Sequence, residues 1–103
     1  MVMDRYAEIR RKAVPILKPY INRMAVFGST VRGDATTKSD IDLLIRLKPS
    51  SERPRLGLFR LMEIEERLQK QLGCEVDLVT EDSLNPYIRP YVEKEKVVIY
   101  EEG

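Results

Sequence analysis

Apolar positions along the chain alternate between two spacings. From residue 4 to 14, Tyr6, Ile9 and Ala13 recur at steps of three and four, which marks one face of a helix. Pro15 is expected to end or kink that helix, because proline lacks the amide hydrogen of the ladder and crowds the preceding turn. The stretch PILKPYI then leads irregularly into a first strand, about Arg23 to Phe27. Gly28 breaks this strand, and Ser29 is placed to cap a short helix running towards Gly33. After the polar turn DATTKS the spacing drops to two, predicting a second strand over about Asp40 to Leu47.

The segment KPSSERPRLG is a loop by composition. Beyond it, Leu61, Ile64, Leu68 and Leu72 trace one helical face that stops at Gly73, a residue suited to a C-terminal cap. Glu63 with Arg67, and Glu66 with Lys70, are spaced to pair on the solvent side of this helix. CEVDLVT predicts a third strand, and Asn85-Pro86 can start a last helix to about Lys94, with Pro90 disturbing its first turns. KVVIY closes the chain as a short strand that either forms a sheet edge or packs internally. The order α-β-α-β-α-β-α-β predicts an α/β (α+β) sandwich, with helices packed on a small mixed sheet.

The second strand raises a chemical question. Ile41, Leu43 and Ile45 share one side, a core face, so Asp40, Asp42 and Leu44 share the other. Two carboxylates thus stand about 7 Å apart near the strand's start. The third strand repeats the arrangement, with Cys74, Val76 and Leu78 on one face and Glu75 and Asp77 on the other. If the two strands are neighbours, Asp77 joins Asp40 and Asp42. Three converging acids repel one another unless a cation neutralises them. Oxygen-only ligands select Mg²⁺ or Mn²⁺, which commonly takes carboxylates together with substrate phosphates. A pair of such ions can activate an attacking oxygen and steady a phosphate for in-line displacement.

Gly28-Ser29 supplies a complementary half. A glycine after a strand lets backbone N–H groups approach a phosphate, and the Ser29 hydroxyl adds a donor. Arg32, one turn later, can reach a phosphate or pair with an acid to hold the loop, and the sequence leaves both roles open. Each piece alone is common turn chemistry. Taken together, the strand, Gly-Ser, Asp-x-Asp in a second strand and a lone Asp in a third favour a binding site over chance.

Composition narrows the chemistry further. The 103 residues suffice for one domain, 1–103, and 43% are hydrophobic. The charges nearly balance at +1, so there is no basic excess to hold a long polyanion and stable nucleic-acid binding is not expected. Arg10-Arg11-Lys12 reads as a solvated helix face. There is no histidine, which removes Ser-His-Asp triads and histidine-ligated metals from within the chain. The single cysteine, Cys74, is expected to be a structural thiol. No signal segment and no apolar run of ~20 residues is present, so a cytoplasmic protein without a membrane span is expected.

At GSTVRGDATTKSDIDLLI the sequence resembles the DNA polymerase β-like nucleotidyltransferase superfamily and, within it, the minimal nucleotidyltransferases that act as antitoxins to HEPN-domain toxins. The resemblance covers nearly the whole chain and implies the polymerase β-like nucleotidyltransferase fold. It further implies that Gly28 and Ser29 bind nucleotide phosphates, that Asp40 and Asp42 hold two Mg²⁺ ions, and that Asp77 shares a metal and helps deprotonate the attacking hydroxyl. The implied reaction moves AMP from ATP to a tyrosine of the toxin and releases diphosphate. Two other readings stand beside it: a non-catalytic antitoxin that neutralises its partner by binding, and nucleotidyl transfer to a small molecule or RNA.

Overall fold

The computed structural model describes residues 5–28, 31 and 40–102. Helix α1 spans Arg5–Leu17 and places Ile9, Ala13 and Leu17, one face at four-residue steps, in the core. It does not end at Pro15. The exposed proline is accommodated, because Lys18 N–H still closes the last turn on the Val14 carbonyl and burial of Leu17 holds that turn against the sheet. The expected irregular lead-in is therefore helix as far as Leu17.

Four strands form a sheet in the order β3-β2-β1-β4, with β1 at Ile21–Phe27, β2 at Ile41–Leu47, β3 at Val76–Thr80 and β4 at Val97–Glu101. β1 pairs antiparallel with both β2 and β4, whereas β2 and β3 are parallel. A parallel pair needs a crossover, and helix α2 (Leu58–Leu72) supplies it. α2 buries Ile64 and Leu68 and ends at Gly73, whose left-handed backbone (φ 71°) lets its N–H reach the Gln69 carbonyl. On its solvent side Glu63 pairs with Arg60 at 3.4 Å, a different partner from the one expected. The last helix, α3, is shorter than expected and spans Arg89–Glu95, with Pro90 in its first turn, where no ladder amide is missed. The expected short helix after Ser29 lies, apart from Val31, outside the described residues. β4 is a sheet edge.

The sheet is covered on both sides. α1 and α2 pack on the face of Met24, Val26, Ile41, Leu43, Ile45 and Val76. On the opposite face Ala25 and Leu44 are buried with Leu84 and Val92, the latter from α3. The strand face that carries Asp42 is thus polar only near its beginning, and Leu44 two residues later is core. The Leu84 segment is tied down by Arg23 of β1, whose guanidinium donates to the Glu81 carboxylate at 2.7–2.9 Å, and by Arg89, which donates to the Glu81 carbonyl at 2.8 Å. Arg23 and Glu81 keep only 20% and 13% of their side-chain exposure, so this bidentate pair is better sheltered from screening than a surface ion pair.

Candidate functional site

β1 and β2 are paired up to Phe27 and Asp42, and the chain leaves the sheet at Gly28. Gly28 is buried and has φ 78°, a conformation that favours glycine. Its missing side chain is also required by space, since a Cβ there would collide with the carboxylate of Asp42. The first acid of the site therefore lies directly against the turn that ends β1. The Gly28 carbonyl accepts a hydrogen bond from Val31 N–H at 3.1 Å.

Asp42 and Asp77 are direct partners across the parallel β2–β3 pair. Neighbouring strands lie about 4.8 Å apart and paired residues point to one face, so the two carboxylates belong to one surface. They line a cleft of about 560 Å³ together with Phe27, Glu65, Asn85 and Ile88. Asp40 is exposed one residue before β2, where the neighbouring Ile41 N–H donates to the Glu75 carbonyl at 2.9 Å, and it is not among the walls of this cleft. Ser29 and Arg32 lie outside the described residues. The structure thus brings together Gly28, Asp42 and Asp77 of the residues singled out by sequence.

The oxygen-only side chains of Asp42 and Asp77, set on one surface of the cleft, fit a hard divalent cation such as Mg²⁺. Among the described residues, no three acids stand together in a ready metal-binding group.

Two acids not foreseen from the sequence adjoin this site. Glu65 of α2 follows buried Ile64, and burial, reinforced by the charge of Asp77, raises its pKa above the usual carboxylate value. Its position next to a core residue reads as the solvent side of an amphipathic helix, so periodicity carries no signal for it. Because its pKa is raised in the fold, ionisation costs stability. That cost is absent below the unfolded-state pKa and appears as pH rises through the folded value. Glu65→Gln is expected to raise the unfolding temperature of the metal-free protein slightly at pH 7 and to have no such effect near pH 3, as measured by thermal unfolding at both pH values.

The second acid is Glu95, the last residue of α3, whose Oε2 accepts the Gly28 N–H at 3.1 Å. Cys74 is part-buried, and burial raises its thiol pKa, in keeping with the structural role expected of it.

Residues 4–99 match the nucleotidyltransferase domain family. This chain belongs to that family. Among relatives of this nucleotidyltransferase is the protein adenylyltransferase MntA of Thermococcus cleftensis, 39% identical over 79 residues that make up 77% of this chain and 75% of that one. Two solved structures share the fold. One is a toxin–antitoxin with AMP-PNP, with a TM-score of 0.74 at 22% identity, covering 90% of this chain and 73% of that chain. The other is the tri-AMPylated Shewanella oneidensis HEPN toxin in complex with MNT antitoxin, with a TM-score of 0.69 at 19% identity, covering 94% of this chain and 73% of that chain. The fold expected from the Gly-Ser and Asp-x-Asp pattern is borne out, and the chain is an enzyme of the nucleotidyltransferase class.

Proposed function

We propose that this nucleotidyltransferase is a Mg²⁺-dependent protein adenylyltransferase that acts as an antitoxin, moving AMP from ATP to a tyrosine of a cognate HEPN-domain toxin. The observation that carries the reading is the register that sets Asp42 beside Asp77 in one cleft, next to a glycine with no room for a side chain. The Thermococcus relative supports protein as the acceptor, and the fold neighbours support ATP and a HEPN partner. The nucleotidyltransferase domain would span residues 1–103, and the protein would work in the cytoplasm. Among the described residues no helix is long and apolar enough to cross a membrane.

In the reaction, the acceptor tyrosine oxygen forms a bond to the α-phosphorus of ATP. The bond from that phosphorus to the oxygen bridging to the β-phosphate breaks, and diphosphate leaves. Asp77, exposed at the cleft, takes the proton of the attacking hydroxyl. Gly28, whose own N–H is engaged by Glu95, serves phosphate binding by letting the backbone of the turn come close, Ser29 donates to the phosphate, and Arg32 either assists or holds the loop. Two Mg²⁺ ions, held by Asp40, Asp42 and Asp77, would supply neutralisation of the phosphate charge.

With labelled ATP, Mg²⁺ and the HEPN protein encoded beside this one, label is expected on a toxin tyrosine, with one diphosphate released per AMP. Absence of label under these conditions would defeat the reading. A second reading, neutralisation by binding alone, is favoured by the exposed apolar side chains Leu58, Phe59 and Met62 on α2, Tyr87 just before α3 and Tyr91 within it. Full protection of cells by Asp40→Ala/Asp42→Ala would assign neutralisation to binding; loss of protection assigns it to the chemistry.

A further inference from the structure

The hydrogen bond between Glu95 and Gly28 joins residues 67 positions apart and has no part in the superfamily pattern described above. Gly28 lies just past the last ladder pairs of β1, Phe27 with Asp42 on one side and Val26 with Val97 on the other. Its N–H therefore needs a partner from outside the sheet, and the Glu95 carboxylate is that partner. A carboxylate in the last turn of a helix is poorly placed for the helix dipole, so the dipole of α3 gives no reason for an acid at Glu95. Its reach is set by packing: Val92, one turn earlier, is buried with Ala25 and Leu44, and Lys96 N–H closes the helix on the Val92 carbonyl at 2.8 Å.

Gly28 is thereby held on three sides. Glu95 takes its N–H, Val31 donates to its carbonyl, and the Asp42 carboxylate lies against its α-carbon. A shift of the Gly28 backbone would move the wall that confines Asp42.

We propose that Glu95 is a positioning residue, which acts by accepting the Gly28 N–H and so sets the turn against Asp42 in the geometry that receives the nucleotide. This rests on the nucleotide-binding reading above. The role lies in the oxygen acceptor and not in the charge, because a negative charge beside a phosphate site opposes binding. Glutamine offers a carbonyl oxygen at the same reach.

The test uses the full chain with AMP-PNP and Mg²⁺, each variant being assayed below its unfolding temperature. In Glu95→Ala the Gly28 amide proton is expected to move upfield in ¹⁵N-resolved NMR, and AMP-PNP affinity to fall at least tenfold. Glu95→Gln is expected to keep the resonance downfield and the affinity within threefold of wild type. Glu95→Asp, which keeps the charge and shortens the reach, should behave as the alanine variant; its comparison with Glu95→Gln decides the matter if Glu95→Ala does not fold.

Unchanged affinity in the alanine and aspartate variants would overturn the proposal, as would equal losses in the alanine and glutamine variants. Tighter binding by Glu95→Ala would also overturn it, since the carboxylate would then be occupying a donor that the phosphate needs. These readouts need no transfer to occur. If wild type binds AMP-PNP but modifies no protein, the adenylyltransfer reading fails while the positioning role is still decided; if it binds no nucleotide, both fall.

Discussion

Asp42→Asn is expected to lower AMP transfer by about a thousandfold, equivalent to ~4 kcal/mol of transition-state stabilisation at roughly 1.4 kcal/mol per tenfold. Asparagine has nearly the same shape as aspartate, so it can occupy the space beneath Gly28 without a new collision. What it removes is a full negative charge from the pair formed with Asp77. On the proposed reading, a cation held at this pair would lose one of its charged ligands, and the phosphate would lose the neutralising charge. Because Asp42 is only part-buried and the substitution preserves volume, the unfolding temperature should stay within a few degrees of wild type. Rate and stability are thus expected to separate. Labelled-AMP transfer and thermal unfolding of the same preparation measure both, and substantial labelling by the variant would remove Asp42 from the assigned role.

Gly28→Ala is expected to damage rate and stability together. The left-handed backbone at φ 78° costs an alanine about 1 kcal/mol relative to glycine. The new methyl group would in addition enter the space of the Asp42 carboxylate, and crowding of this kind adds about 1–3 kcal/mol. A total loss of ~2–4 kcal/mol is expected in chemical denaturation. The collision can be relieved only by moving the turn or the carboxylate, so transfer should fall at least a hundredfold even where the variant remains folded.

Gly73→Ala is the internal comparison. Gly73 has a similar φ of 71°, but a Cβ there meets nothing within 4 Å. Its variant should cost about 1 kcal/mol and leave transfer unchanged. Equal effects at the two glycines would show that backbone conformation, not contact with Asp42, accounts for the loss at Gly28.

Much of the architecture is legible residue by residue. The three- and four-residue steps of Leu61, Ile64, Leu68 and Leu72 are a local consequence of helix geometry, and Gly73 ends that helix because glycine enters the left-handed region at low cost. The alternation from Ile41 to Ile45 marks β2 for the same local reason. Pro15 was misleading because the penalty of one missing ladder bond is set locally, whereas burial of Leu17 against the sheet is not. Leu44 shows the same limit. Its side of β2 follows from alternation, but its burial depends on α3 and Leu84 arriving from far along the chain.

Read without any fold, the chain already carries the helix and strand periods, the lack of histidine that points to oxygen ligands, and Gly28, Ser29, Arg32, Asp40, Asp42 and Asp77 as candidates. These depend on side-chain chemistry and on spacing within a few residues. Only in the folded chain does Asp77 come to face Asp42, and only there do Glu65 and Glu95 stand beside the pair and its glycine. Strand register and helix docking are set by the joint burial of apolar faces from distant segments. No local window of sequence contains that balance, and the contact between Glu95 and Gly28 exists only once α3 has packed its Val92 onto the sheet.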